Sequence, residues 1–295
     1  MFNPERPKTD FDPLKEFNRD IIVFCPEAWR APLENVCRLS EKGQVLIEES
    51  VVECFGDLSG LVELKKSLSV LRDNYNIEAN IIPLSPVEGI EALLGVRAIL
   101  IKHASDKPPE YAGYVSLLFG YEKQQPLMYV SIYEVKEQGK GIGLDSECQL
   151  EDFCRRHNIW TIENNSTSDK ERGDVGGYVW ALYGYEFGNE SDIGHIIKNI
   201  IDFAAKNEII IDEEALRACQ RPIDFARFKG KNKNRDEVPV GKLSLLEYSE
   251  WNGRRDLDFN SQGTKDFVAY LKQRGRDDLI EKYYPMFLEK NSKMV

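Results

Sequence analysis

The chain has 295 residues, of which 42% are hydrophobic and 30% are charged, and its formal net charge at pH 7 is −11. This composition is typical of a soluble globular protein with one large domain or two smaller ones. The acidic balance argues against nucleic acid as a partner, because such binding needs a basic surface. No stretch approaches the apolar length of a membrane span, and the first residues lack the apolar core of a signal peptide. We therefore expect a cytoplasmic protein with no membrane partner.

The cysteines and histidines carry no metal-binding pattern. The six cysteines include no C-x-x-C pair, and the three histidines are far apart in the sequence. These spacings predict reduced, mostly buried thiols and no metal site.

The first 85 residues alternate between strand-like and helix-like patterns. Such an α/β unit is either a small separate domain or an extension of a larger sheet, and the sequence leaves both open. The predicted elements are strands at 20–26, 43–55 and 77–84 and helices at 31–39 and 58–74.

From residue 86 the pattern predicts a short helix and an antiparallel meander of strands, followed by a turn, a helix and another strand. The last hundred residues are predicted to be mainly helical, with Asp212 as the N-cap of one helix. The predicted strands are 96–104, 112–122, 128–135 and 159–163, with helices at 87–94, 178–187, 192–206, 213–219, 240–248, 264–274 and 277–288, a polar loop at 164–177 and a turn-rich connector at 251–263.

The glycines Gly139, Gly141 and Gly143 lie between the strand ending at Val135 and the following helix. Glycine allows positive φ and a close approach of backbone N–H groups to a ligand. The N-terminus of the next helix would face the same point, which predicts a phosphate or pyrophosphate site. The spacing fits neither the dinucleotide fingerprint nor the P-loop.

The segment Gln138–Gly143, QGKGIG, resembles the acyl-CoA signature Q/R-x-x-G-x-G/A of the GNAT N-acetyltransferase superfamily. The neighbouring strands and the helix at 178–187 are similar to that family's pattern over about residues 86–190. The resemblance implies a mixed α+β or α/β fold with a mainly antiparallel sheet flanked by helices. It also implies three parts, namely an N-terminal α/β extension (1–85), an acyl-CoA-binding core (86–190) and a mainly helical C-terminal region (191–295).

The resemblance further implies acetyl-CoA, or another acyl-CoA, as cofactor. The main chain of Tyr133 to Val135 would pair with the pantetheine arm, and Asn164 or its neighbour Asn165 would lie near the thiol. The residues expected at the pyrophosphate are Gln138, Gly139, Lys140, Gly141, Ile142 and Gly143.

Acylation of an amine needs a proton acceptor for the ammonium and a proton donor for the thiolate. Glu134 and Glu163 are the candidate bases, and Tyr183 is the candidate acid. Trp180 stands where the resemblance implies the catalytic tyrosine, and Ser146 and Glu147 stand where it implies paired leucines.

The expected function is an acyl-CoA-dependent N-acyltransferase. The acidic chain favours a cationic acceptor, either a small molecule such as a polyamine or aminoglycoside or a protein lysine. Two alternatives remain open, a GNAT-like binding or interaction module without catalysis and an unrelated α/β protein whose glycine turn is structural. The sequence specifies no oligomeric state.

Overall fold

The computed structural model describes residues 49–72, 75–84, 92–104, 107–122, 124–136, 141–169 and 174–288. Within them the protein has a mixed α+β fold, in which helices flank one nine-stranded and mostly antiparallel sheet. A separate two-stranded ribbon lies in the C-terminal part.

The strands of the main sheet come from the whole described chain. They are β1 (Val70–Arg72), β2 (Tyr75–Leu84), β3 (Ala92–Ala104), β4 (Glu110–Glu122), β5 (Gln125–Val135), β6 (Thr161–Asp169), β7 (Asp174–Val175), β8 (Glu186–Phe187) and β11 (Tyr248–Asp256), and the small ribbon is β9 (Gly230–Lys231) with β10 (Glu237–Val238).

The order of the main sheet is β1-β2-β3-β4-β5-β6-β11-β8, with β7 paired to the end of β6. Each neighbouring pair is antiparallel except β5 with β6, which run parallel. The helix that connects these two strands is the crossover that a parallel pair requires.

Residues 49–55 are helical at the start of the described chain. The helices that follow are α1 (Ser59–Leu68), α2 (Ile142–Arg156), α3 (Gly176–Leu182), α4 (Ser191–Lys206), α5 (Glu213–Ala218), α6 (Pro222–Arg227), α7 (Val240–Glu247), α8 (Gln262–Gln273) and α9 (Asp277–Tyr283), with a 3₁₀ turn at Pro285–Phe287.

Helix α2 is central to the packing. It contacts α1 on one side and α9 on the other, and it crosses over the sheet between β5 and β6. Most of its side chains are buried, including the charged residues Glu147, Glu151 and Arg155. A helix buried on nearly all sides normally carries apolar residues, so these charges need partners inside the fold.

Several predicted elements are confirmed. The strands at 77–84, 96–104, 112–122 and 128–135 and the helix at 192–206 are present with shifted ends. Asp212 caps α5, since its side chain accepts a hydrogen bond from the N–H of Ala215 at 3.0 Å.

Other predicted elements in the first half are wrong. The segment 49–55 is helical rather than extended, and residues 92–94 belong to β3 rather than to a helix. Helix α1 ends at Leu68, because Val70–Arg72 pairs with β2. The predicted elements at 20–26 and 31–39, and the parts 43–48 and 87–91 of two others, lie outside the described residues.

The predicted polar loop at 164–177 and connector at 251–263 are also wrong, because β6 and β11 occupy much of them. Both strands bury polar side chains, so neither shows the alternation of apolar and polar residues that marks a strand in the sequence. The buried members are Asn164, Ser166 and Ser168 in β6 and Ser249, Trp251 and Arg255 in β11.

Candidate functional site

Strands β5 and β6 are paired over only part of their length. Their parallel ladder runs from Leu127 with Thr161 to Val130 with Asn164. Beyond that pair the two strands are no longer bonded to each other, while β6 stays paired with β11 along its whole length. We call the space between residues 131–135 and 165–169 the β5–β6 opening.

A β-bulge accounts for the divergence of β5. Against β4, Val130 lies opposite Leu117 and Ile132 lies opposite Ser116, so Ser131 is an extra residue. A bulge bends its strand and increases the local twist. The bulged residue, Ser131, is the first one after the last pair between β5 and β6. Because of this extra residue, the side chain of Tyr133 lies on the same face of the sheet as that of Val130.

The N-terminus of α2 lies at the foot of this opening. Gly141 has φ of +77° and is the N-cap of the helix, whose first residue is Ile142, and glycine has no side chain with which to cap it. The N–H of Asp145 bonds to the carbonyl of Gly141 at 3.0 Å. The preceding N–H groups have no helical acceptor, which is the arrangement that binds anions at helix N-termini.

The glycine turn is only partly within the described chain. Gln138, Gly139 and Lys140, which the sequence predicts at the pyrophosphate, lie outside it. Gly141 precedes α2, and Ile142 and Gly143 are the first two residues of the helix.

Two tyrosines stand beside the first turn of α2. A side-chain carbon on Gly143 would lie 3.8 Å from Cε1 of Tyr133 and 3.8 Å from Oη of Tyr183. The Trp180 ring joins them, with its centroid 5.9 Å from that of Tyr133 and 5.6 Å from that of Tyr183. Burial raises the pKa of both tyrosines well above the ordinary value, so their hydroxyls stay protonated at neutral pH.

Glu147 lies in the second turn of α2, below the same tyrosines. Its side chain is buried, and Oη of Tyr185 donates to its Oε1 at 3.1 Å. Burial, followed by repulsion from Glu151, raises the pKa of Glu147 to about 8, while Arg255 and the Tyr185 hydrogen bond oppose that rise. We call Tyr133, Ser146, Glu147, Tyr183 and Tyr185 the polar cluster.

Several buried polar atoms here find no hydrogen-bond partner of good geometry among the described residues. Buried polar groups are otherwise nearly always paired, so a group of unpaired ones marks a place for water or a polar ligand. They are Oη of Tyr133, Oγ of Ser146, Oε2 of Glu147, Nδ2 of Asn164 and Oγ of Ser168.

Asn164 links the end of the parallel ladder to the polar cluster. Its Oδ1 accepts from Oγ of Ser166 at 2.7 Å. A side-chain carbon on Gly253 would lie 2.2 Å from Oδ1 of Asn164 and 3.1 Å from Cδ1 of Tyr185. A residue larger than glycine at position 253 of β11 would therefore overlap with the side chains of Asn164 and Tyr185, which lie side by side.

A buried ion pair supports the cluster from below. Nη1 of Arg255 lies 2.8 Å from Oε1 of Glu151, and both side chains are fully buried. Nη1 of Arg155 and Oη of Tyr284 both donate to Oε2 of Glu151. The guanidinium of Arg255 also lies 4.4 Å from the ring centroid of Phe267, so α8 and β11 are both fixed to α2.

The candidate bases from the sequence are on the opposite face of the sheet. Glu134 is exposed and lies opposite Tyr114 in β4. Glu163 is 2.8 Å from Nη1 of Arg254, which also binds Glu122 at 2.6 Å. The structure therefore brings Tyr183 together with Tyr133 and Glu147 and separates it from Glu134 and Glu163. Val135 lies on the face of Tyr133, beyond the bulge.

Sequence reasoning missed Glu147, Tyr185 and Arg255 as site residues. The one signal in the sequence was that Glu147 stands where the family resemblance implies a leucine. Tyr185 and Arg255 come from α3's C-terminal end and from β11, and nothing in the sequence places them against α2.

A separate open cleft of about 360 Å³ lies between α1, α2 and α9. Arg156 in this cleft is paired with both Glu63 and Asp152. We find no comparable set of unpaired buried groups there, so the β5–β6 opening is the stronger candidate.

Comparison with protein-family models finds no match for this chain, and comparison with curated protein sequences finds none either. Within the described part of the chain, no helix is long and apolar enough to cross a membrane. Over the same residues, no group of three or more His, Cys, Asp or Glu side chains is placed to hold a metal ion.

Proposed function

We propose that the chain is an acyl-CoA-dependent N-acyltransferase, a divergent member of the GNAT superfamily, that transfers an acetyl or other acyl group to an amine. Acetyl-CoA is the proposed donor. The acceptor is an amine-bearing small molecule or a protein side chain.

The observation that carries this proposal is the divergence of β5 from β6 directly above the N-terminus of α2. Past Val130, one edge of β5 has no strand beside it among the described residues, and an extended ligand can add to such an edge as a strand does. The extended pantetheine arm of an acyl-CoA fits this description. The pyrophosphate at the far end of that arm would then reach the first turn of α2.

The carboxylate of Asp145 in the first turn of α2 is paired, which reduces the repulsion that an anion would meet there. Asp145 would repel a phosphate, but Nη2 of Arg276 pairs with its Oδ1 and also binds Asp278 at 2.7 Å. The side chain of Arg276 is only 18% exposed, so its charge is held close to the helix start. The positive end of the helix dipole acts in the same direction.

The tyrosines beside α2 supply proton donors. General acid catalysis by a positioned side chain assists the departure of a thiolate. The buried hydroxyl of Tyr183 is protonated at neutral pH and can donate a hydrogen bond to the departing sulfur, and Tyr133 is a second donor on β5.

A second candidate function is CoA binding without catalysis. It is favoured by one observation, namely that Glu134 and Glu163 lie across the sheet from Tyr183. In this case the protein would bind the cofactor and transfer nothing.

The test is a calorimetric titration of the full chain with CoA and with acetyl-CoA. We expect CoA to bind with a dissociation constant in the micromolar range, which corresponds to a binding free energy near −8 kcal/mol. No binding at millimolar cofactor would overturn both functions. Binding without turnover of any amine would favour the non-catalytic one.

A further inference from the structure

An amine acceptor arrives as an ammonium ion and must lose a proton before it can attack a thioester. Glu134 and Glu163 are poorly placed to take that proton, because they lie on the far side of the sheet and Glu163 is bound by Arg254. Glu147 lies on the same side of the sheet as Tyr133 and Tyr183, so it is better placed than Glu134 and Glu163 to take that proton.

The carboxyl of Glu147 is held in place with one oxygen left over. Tyr185 donates to Oε1, whereas Oε2 is buried without a partner in the described part of the chain. The hydroxyl of Tyr133 lies close enough to Glu147 for that carboxyl to raise its pKa, and it interacts with the hydroxyl of Ser146. A positioned carboxyl with one unpartnered oxygen beside two hydroxyls can bind a small cationic group.

We propose that Glu147 binds the amino group of the acceptor and takes its proton, an inference that rests on the proposed N-acyltransferase function. The site it forms with the hydroxyls of Tyr133 and Ser146 would accept a primary ammonium group. This residue is not implied by the family resemblance, which predicts leucine at this part of α2.

The ammonium gives one proton to the carboxylate of Glu147, and the resulting amine attacks the thioester carbonyl to form the new C–N bond. The C–S bond then breaks, and the sulfur leaves with a proton from Tyr183 or Tyr133. That tyrosine recovers its proton from the new amide nitrogen, and Glu147 releases its own proton to solvent. No oxidant or further reactant is needed.

The electrostatic surroundings of Glu147 keep its pKa near the working pH. With a pKa of about 8, about a tenth of the side chain is ionised at pH 7, which leaves a base that is both available and strong enough. Arg255 favours the ionised form and Glu151 opposes it. The groups facing Glu147 are Cys148, Glu151 and Cys154 from α2, Arg255 from β11, Tyr133 from β5, and Tyr183 and Tyr185 after α3.

The experiment compares the wild-type protein with Glu147→Gln, Glu134→Gln and Glu163→Gln. Each full chain is given acetyl-CoA and, in turn, spermidine, an aminoglycoside and a lysine-containing peptide, and CoA release is measured by chromatography from pH 6 to 9. CoA affinity is measured in parallel by calorimetry. Infrared spectroscopy of each protein reports any protonated carboxyl at neutral pH.

We expect Glu147→Gln to lower kcat by about 100-fold or more while the affinity for CoA stays unchanged. The wild-type rate should rise through a pH near 8, and this step should be missing in Glu147→Gln. The other two variants should keep both the rate and the pH step. The infrared band of a protonated carboxyl should be present at pH 7 in all proteins except Glu147→Gln.

A Glu147→Gln protein with the wild-type rate and pH profile would overturn the role of Glu147 and leave the proposed function standing. Loss of the rate in Glu134→Gln or Glu163→Gln instead would do the same. A wild-type protein that binds CoA but acylates none of these amines would overturn the acceptor assignment, and absence of CoA binding would overturn the proposed function itself. If Glu147→Gln does not fold, Glu147→Asp replaces it, with a shorter reach and the same expected loss of rate.

Discussion

Val130 and Asn164 form the last pair of the parallel ladder between β5 and β6. Directly beyond this pair, β5 diverges from β6 at the bulge on Ser131. The side chain of Asn164 lies next to Tyr185, a member of the polar cluster. The geometry of the proposed cofactor site is therefore set by one strand pair and by the helix that connects its two members.

The first prediction concerns the start of α2. Gly143→Glu should lower the affinity for CoA by about tenfold or more, because it places a carboxylate where the phosphates are proposed to bind, and a tenfold loss corresponds to about 1.4 kcal/mol. Gly143 is outside the left-handed region, and an added side-chain carbon meets nothing closer than 3.8 Å. Calorimetry with CoA measures the effect.

Gly143→Ala is the matched control and should bind CoA with near wild-type affinity. Gly141 is a poorer position for this test, because its φ of +77° would strain any other residue by about 1–2 kcal/mol. Equal CoA binding by folded Gly143→Glu and Gly143→Ala proteins would mean that the phosphates do not bind at this turn.

The second prediction concerns pH and stability. Between pH 4.5 and about 8, Glu147 holds a proton in the folded protein and is ionised in the unfolded chain. The folded state then binds one more proton, so Glu147 makes the free energy of unfolding fall by about 1.4 kcal/mol for each pH unit in this window. The contribution of Glu147 to the free energy of unfolding is fully present below pH 4.5, and it stops falling above about pH 8.

Glu147→Gln should lack this dependence, because glutamine does not titrate. Urea unfolding of both proteins at pH 5, 6, 7 and 8 gives the difference in the free energy of unfolding at each pH. A difference that stays constant over that range would show that the pKa of Glu147 is not raised.

The third prediction concerns the contact between α3 and α8. Gly184 has φ of +79°, and a side-chain carbon there would lie 2.1 Å from the carbonyl oxygen of Gly263. Gly184→Ala should therefore destabilise the protein by more than about 2 kcal/mol, since both backbone strain and a clash oppose it. Thermal or urea unfolding measures the loss.

Gly275→Ala separates the two effects. Gly275 has φ of +66°, but nothing lies within 4 Å of its added carbon. This variant should lose only the strain energy, about 1–2 kcal/mol. If both variants lose the same amount, the close packing of Gly184 against Gly263 contributes nothing to stability.

The fourth prediction concerns the buried pair of Glu151 and Arg255. Removing either charge leaves the other buried with an incomplete set of partners, so Glu151→Gln and Arg255→Gln should each cost about 3–5 kcal/mol. The double variant should cost clearly less than the sum of the two. Urea unfolding of all four proteins gives the coupling energy, and additive losses would mean that the two residues do not interact.

The sequence by itself determined the elements whose hydrophobic pattern is regular. The strands at 77–84, 96–104 and 112–122 alternate or carry continuous apolar runs, and the helix at 192–206 has isoleucines on one face, so local periodicity was sufficient to predict them. The positive φ of Gly141 and the N-cap at Asp212 were also predictable, because they depend on residue type and immediate neighbours.

Only the tertiary structure decided where β6 and β11 lie and which side chains meet beneath them. These strands bury Asn164, Ser166, Ser168 and Arg255, whose partners are far away in the sequence, so a pattern of polarity cannot identify them. The placement of Glu134 and Glu163 on the face opposite Tyr183, and of Glu147 beside it, has the same cause. Which face a side chain occupies depends on the register and on the bulge at Ser131, and both are fixed by pairing between distant segments.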